Sequence, residues 1–265
     1  MLLREERSAE LRVDGVTVRF AGLTALDGVS LRLSGGEVLG VIGPNGAGKT
    51  TLFNAICGFV RPDAGTISWG GEARRRIRPH ELTRLGIART AQGVRLFPDL
   101  TALENVMVGG EHLHRSRFAA ALFGLPASDR AERELRGTAL DALARVGAEE
   151  VAGLRAGGLP YPVQKKVALA RALVAQPDLL MLDEPAGGLA ADEVSELVEL
   201  VRGLKGSMSV MLVEHRMDLV MAVCDRVAVL DSGRLITEGS PADVQANPEV
   251  LDAYLGAENG EGADA

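Results

Sequence analysis

The chain has 265 residues, of which 46% are hydrophobic, enough to bury one large core or two modest ones and too apolar for a disordered protein. A formal net charge of -7 leaves no basic excess to neutralise nucleic-acid phosphates. No stretch approaches the roughly 18 uninterrupted apolar residues of a membrane-spanning helix, and Met1-Leu2-Leu3-Arg4-Glu5-Glu6-Arg7 carries acids where a signal peptide would carry its apolar segment, so we expect a soluble chain on the cytoplasmic side.

Leu11 to Phe20 and Thr24 to Leu33 alternate apolar and polar residues around Ala21-Gly22, a pattern that predicts an antiparallel strand pair. Glu37 to Ile42 is a short, β-branched apolar run and reads as a buried strand. It feeds Gly43-Pro44-Asn45-Gly46-Ala47-Gly48-Lys49-Thr50, a complete phosphate-binding loop of the form G-x-x-x-x-G-K-[ST]. Its glycines let successive N–H groups curl round phosphate oxygens, Lys49 can reach the β- and γ-phosphates, and the Thr50 hydroxyl can ligate Mg²⁺. Thr50, Thr51 and the residues to Ile56 read as a helix whose N-terminal dipole faces the anion. Binding of a nucleoside triphosphate with Mg²⁺ follows. Gly65 to Gly71 looks like a further strand, and the cluster Arg74, Arg75, Arg76 and Arg78 reads as a solvated loop face. Cys57 sits in an apolar stretch, as does Cys224, the chain's other cysteine; both read as small buried hydrophobes of a reducing compartment.

From about Thr101 to Gly158 the composition changes to Ala-, Leu-, Arg- and Glu-rich segments of helical period, such as Ala131 to Val146. Within it, His112 and His114 have no partners completing a metal site, and Phe118 to Phe123 is too short to span a bilayer; that run is either core or a docking patch. Leu179 to Leu182 and Val210 to Val213 read as buried parallel strands separated by a helix from Asp192 to Leu204, the βαβ rhythm of an α/β core. The first of them ends in Asp183-Glu184, two carboxylates where an acid is costly unless it works. With a phosphate loop upstream, Asp183 suits the Mg²⁺ shell, and Glu184 can accept a proton from, or orient, a water attacking the γ-phosphate. Val227 to Leu230 and Arg234 to Thr237 flank a tight turn at Asp231-Ser232-Gly233, and the tail from Gly256 to Ala265 reads as disordered.

In this order the pieces resemble the ATP-binding subunit of ATP-binding-cassette (ABC) transporters over nearly the whole chain. The resemblance implies an α/β fold, an ABC-type P-loop NTPase with a RecA-like core, a small antiparallel β-subdomain and a helical subdomain. It implies one domain over residues 1–255, with the helical subdomain inserted at about 101–175. Phe20 stands where the family places an aromatic residue that stacks on adenine, although a Phe at a strand end is as readily core. Gln92, in Arg89-Thr90-Ala91-Gln92, matches the loop glutamine that touches the Mg²⁺ and water network. His215 matches the switch histidine that faces the γ-phosphate. The segments Gln92 to Val106, Leu159-Pro160-Tyr161 and Ala253-Tyr254-Leu255-Gly256 resemble the branched-chain (hydrophobic) amino acid uptake subfamily, while urea and short-amide importers share much of this wording. The resemblance implies ATP and Mg²⁺ as ligands. It also implies a second, different ATPase subunit, two membrane permease subunits and, indirectly, a solute-binding protein, with no nucleic acid.

The chain departs from that family at its signature. Where the subfamily has Leu-Pro-Tyr-Gly followed by polar residues, it reads Leu159-Pro160-Tyr161-Pro162-Val163-Gln164, so a backbone N–H that would face the partner's γ-phosphate is absent at Pro162. Proline is tolerated in a first helical turn, so a helix from Gln164 to Val174 is expected, with Val163, Val167, Ala170 and Val174 on one face. Ala190 stands where Asp or Asn is common. Two rivals remain: a hydrolysis-impaired regulatory subunit, kept open by the signature, and a soluble ABC ATPase of DNA repair or translation. A single phosphate loop and the acidic balance argue against the second.

Overall fold

A computed structural model describes residues 9–74, 77–90, 93–110, 126–251 and 253–254. The chain divides into two units. The first comprises Met1–Leu82, Met181–Gly187 and Val194–Ala265, the second Thr83–Leu180 and Gly188–Glu193.

In the first unit, β1 (Leu11–Phe20) and β2 (Leu23–Leu33) form a hairpin in which Phe20 pairs with Leu23. The two residues between them, Ala21 and Gly22, have φ of 43° and 93°, the doubly left-handed state of the two-residue loops that match strand twist. β4 (Ala64–Trp69) pairs with the other edge of β1, and β5 (Glu72–Arg74) completes the order β2-β1-β4-β5. Alternation is visible in the burial of Leu11, Val13, Ile67 and Trp69 on one face. Arg74 pairs with Glu72 at 2.6 Å, while Arg75 and Arg76 lie outside the described residues.

The parallel core of this unit is built on β3 (Val38–Ile42). With β6 (Ile87–Arg89) belonging to the second unit, the remaining strands are β7 (Leu179–Asp183), β8 (Ser209–Val213), β9 (Arg226–Asp231) and β10 (Arg234–Gly239), in the order β10-β9-β3-β8-β7. Val41 stands opposite Val213 on one side and Ala228 on the other, both in parallel register. Every residue of β3, β7 and β8 is buried, which is why these segments are apolar runs rather than alternating ones, broken only by Asp183 at the end of β7 and Ser209 at the start of β8. α1 (Lys49–Ile56) leaves β3 through the glycine loop and buries Leu52, Phe53, Ala55 and Ile56.

The second unit is mainly helical, in keeping with its composition: α2 (Ala102–Gly110), α3 (Pro126–Arg145) and α4 (Tyr161–Leu173). α2 starts with a capping box in which the Thr101 hydroxyl accepts from the Glu104 N–H at 3.2 Å and the Glu104 carboxylate accepts from the Thr101 N–H at 2.7 Å. α2 and α4 pack so closely that a Cβ on Gly109 would lie 2.1 Å from the Arg171 carbonyl oxygen. β6 lies beside the start of β7, where the Gly86 carbonyl accepts from the N–H groups of Asp178 and Leu179 at 2.7 and 3.0 Å. The predicted helix from Gln164 begins three residues earlier, at Tyr161, and its buried face holds Val167, Ala170 and Val174, with Val163 half-buried. His112, His114, Phe118 to Phe123 and the tail from Gly256 lie outside the described residues.

Chain continuity returns to the first unit along α5 (Ala191–Leu204), whose Val194, Leu197, Val201 and Leu204 are buried at helical spacing. The sequence pattern missed α6 (Met217–Val223) and α7 (Pro241–Gln245), each at most two turns long. The residue after α6, Cys224, comes close to β3: a Cβ on Gly40 would lie 2.8 Å from its sulfur, so the strand must be bare there.

Candidate active site

The glycine loop leaves β3 with Gly43, Gly46 and Gly48 at φ of 146°, 79° and 100°. At two of these positions space as well as conformation demands glycine: a Cβ would meet the Leu230 carbonyl oxygen at 2.0 Å from Gly43 and the Ala25 carbonyl oxygen at 2.6 Å from Gly48. Gly48 is also the left-handed N-cap of α1, and no side chain caps that helix end. The loop is supported from behind by the β9–β10 turn, where Ser232 and Gly233 are both left-handed and the Gly233 N–H donates to the Ala47 carbonyl at 3.1 Å. Lys49 folds over the loop, its Nζ donating to the carbonyls of Gly43 at 2.7 Å and Pro44 at 2.8 Å. Burial pulls its pKa below the usual lysine value, and the charge of Glu184 works against that shift, which places the β7 carboxylate within electrostatic reach of the loop.

Asp183, 4% exposed, ends β7; Glu184 follows at a φ of 48°, a conformation uncommon for a residue with a side chain. The Glu184 N–H donates to the Val213 carbonyl at 3.0 Å, joining the end of β7 to the end of β8. His215, just past β8, presents an exposed imidazole, with Nδ1 at 3.8 Å from the buried Glu214 carboxylate. Glu214 accepts three backbone N–H bonds: from Ala186 at 2.7 Å, from His215 at 3.0 Å and from Arg216 at 3.1 Å. The site therefore gathers the loop, Lys49, Asp183, Glu184 and His215 at strand ends of one parallel sheet, where open α/β sheets bind ligands.

Of the other residues expected at the site, Thr50 is exposed and Thr51 half-buried at the start of α1. Phe20 is 46% exposed at the hairpin tip, so it is not core and offers a ring face to a planar partner. Gln92 lies outside the described residues. In the second unit the altered signature opens α4, with Pro160 as N-cap, Pro162 in the first turn and Tyr161 43% exposed. Among the described residues no group of three or more His, Cys, Asp or Glu could hold a metal by itself. The available donors, the Thr50 hydroxyl and the Asp183 carboxylate, are hard oxygens that fit Mg²⁺ when phosphate oxygens complete the shell.

Two features of the site had not been singled out from sequence. Glu214 carries the same signal as Asp183, an acid directly after a run of four apolar residues. Gly233 was read only as a turn glycine, although its amide also holds the phosphate loop.

A glycine loop between a buried strand and a helix, facing an Asp-Glu strand end, defines a P-loop nucleoside triphosphatase. The chain belongs to the ABC transporter family, whose model matches residues 26–187; a second model, the branched-chain amino acid ATP-binding cassette transporter, matches residues 234–259. It is 42% identical over 249 residues to the high-affinity branched-chain amino acid transport ATP-binding protein BraF of Pseudomonas aeruginosa, covering 93% of this chain and 97% of that protein. Identity to LivG of Escherichia coli, named for the same transport, is 40% over 248 residues, with the same 93% and 97% coverage. A crystal structure of a nucleotide-free ATP-binding cassette from an ABC transporter superposes with a TM-score of 0.81 at 30% identity, over 93% of this chain and 98% of that one. A cassette in its ADP conformation gives 0.80 at 29%, over 94% and 99%.

Proposed function

We propose that this chain is the ATP-hydrolysing subunit that energises import of branched-chain or other hydrophobic amino acids through separate membrane subunits. The observation that carries the ATPase reading is the convergence of Lys49 and Glu184 on one glycine loop, with Asp183 and His215 on neighbouring strand ends. The substrate class rests on the BraF and LivG likeness and on the match over residues 234–259.

In this reading the loop amides from Gly43 to Thr51 cradle the phosphates, and Lys49 exchanges its carbonyl partners for β- and γ-phosphate oxygens. Thr50 and Asp183, with Gln92, would hold Mg²⁺, which would neutralise negative charge on the phosphates. Glu184 orients and deprotonates the attacking water, His215 donates to the γ-phosphate, and Phe20 stacks on adenine. Residues 1–255 act as one cassette. No described helix is long and apolar enough to cross a membrane. On the likeness to transport ATP-binding proteins we place the chain at the cytoplasmic face, held there by two permease subunits and paired with a second ATPase subunit, with a solute-binding protein delivering substrate.

Two variants test the reading. Lys49→Ala should abolish tight MgATP binding in a fluorescent-ATP titration, because the loop loses its main cationic contact with the β- and γ-phosphates. Glu184→Gln keeps shape but not basicity, so ATP should bind while turnover falls by about 10²-fold or more. Unchanged affinity in the first, or near-normal turnover in the second, would defeat the corresponding assignment. Uptake of radiolabelled leucine by the reconstituted transporter, set against urea, tests the substrate class.

A further inference from the structure

Glu214 is fully buried at the end of β8, in a place where a carboxylate is costly unless its oxygens are satisfied. They are satisfied by backbone alone, and the two oxygens serve different segments. Oε1 accepts from Ala186, two residues after Glu184, while Oε2 accepts from His215 and Arg216. One side chain thus ties the turn that follows the proposed base to the start of the loop that carries His215.

That tie answers a need. Glu184 is held at a φ of 48°, a strained state for a non-glycine residue that persists only when its surroundings over-determine it. Its own N–H is anchored to Val213, the residue before Glu214, and the turn it opens is anchored to Glu214 itself. The backbone of Glu184 is therefore fixed on both sides by consecutive residues of β8 and its end.

We propose that Glu214 is a positioning residue for hydrolysis, setting Glu184 and His215 in mutual register. The inference rests on the reading of Glu184 as the base. It requires a carboxylate, because three converging N–H donors need acceptors on both oxygens. A glutamine at this position presents an N–H₂ to one of the two donor sets and releases it. The geometry of Glu184 and His215 then loosens while the phosphate loop keeps its own supports, so binding of ATP is retained and chemistry is lost.

In the assembled transporter, Glu214→Gln should lower kcat by about 10²-fold, the scale of a small misplacement of a reacting group, with ATP affinity within about twofold of the parent. Because part of the effect of Glu214 runs through the Glu184 carboxylate, the Glu214→Gln/Glu184→Gln double variant should lose less turnover than the two single losses combined in single-turnover assays. A normal kcat in folded Glu214→Gln, a parallel loss of ATP affinity, or additive losses in the double variant would each overturn the proposal. Normal turnover of Glu184→Gln would instead sink the assignment of the base, so the two failures are distinguishable. Should Glu214→Gln not fold, hydrogen exchange of the parent chain decides: the Ala186 amide should be strongly protected, and exchange at the rate of an open turn overturns the tie.

Discussion

Cys224 lies against bare backbone at Gly40, and burial, followed by the nearby Asp225 charge, pushes its thiol up to about 12. Such a thiol is almost wholly protonated near neutrality and a poor nucleophile, and Cys57 is fully buried too. We therefore expect neither cysteine to react with an aromatic disulfide reagent at about pH 8 in the native chain, and both to react after denaturation. Prompt native labelling of Cys224 would contradict the packing described. The shift also fixes a pH dependence. Between the ordinary value of 9.0 and about 12 the folded chain keeps this proton and the unfolded chain loses it, so the contribution of Cys224 to stability is complete below that window and is lost on rising through it. Denaturant midpoints should fall over that range, and less so in Cys224→Ala. At the same scale, the placement of the phosphate loop between a buried strand and a helix, and of Asp183-Glu184 at a strand end, was legible in the sequence because motif spacing and the flanking apolar runs mark it. The task of Glu214 was not, since it depends on which backbone amides a fold brings to a carboxylate.

Strands β3, β7 and β8 were legible as elements because burial on both faces demands an apolar run, and α5 because four apolar residues recur at helical spacing. The elements missed are short. α6 and α7 are too brief to display a period, although Ser240 and Asp243 form a capping box around Pro241 that marks the start of α7 in the sequence itself. The expected start of α4, at Gln164, falls three residues late, because the first turn takes in Pro162 itself, where proline removes only an N–H with no intrahelical partner. Asn105, on α2, shows why composition could not define the approach to that helix. It is fully buried, accepts from the Phe97 N–H at 2.8 Å and donates to the carbonyls of Phe97 and Thr101, each at 3.0 Å. Asn105→Leu should remove the acceptor of the Phe97 N–H and the side-chain donors to the Phe97 and Thr101 carbonyls, and destabilise the chain by about 1–3 kcal/mol in urea denaturation. A loss below about 0.5 kcal/mol would show that the Phe97–Thr101 segment is held by other means.

In the proposed reading, the residues that would handle this chain's own nucleotide are all present: the glycine loop, Lys49, Asp183, Glu184 and His215. The departures from the family's pattern, at Pro162, Val163 and Ala190, lie where the family resemblance implies contact with a neighbour's nucleotide. Pro162 lies in the first turn of α4, where an N–H could face an anion, and proline supplies none. A homodimer would carry this defect at both composite sites. We therefore expect the productive assembly to pair this chain with a different ATPase subunit whose signature is intact. The site that uses this chain's phosphate loop then hydrolyses, while the site that uses its signature binds ATP and fires poorly, by roughly the 10²-fold that losing one preorganised donor costs an oxyanion site. Two variants of the reconstituted heteromer separate the sites. Pro162→Gly with Val163→Gln should raise total ATPase by adding a second competent site, and Glu184→Gln in this chain should remove most of the turnover in the parent. If the restored signature leaves ATPase unchanged and Glu184→Gln removes only a minor share, the two sites are not divided in this way, and proline at 162 costs the neighbour's nucleotide nothing.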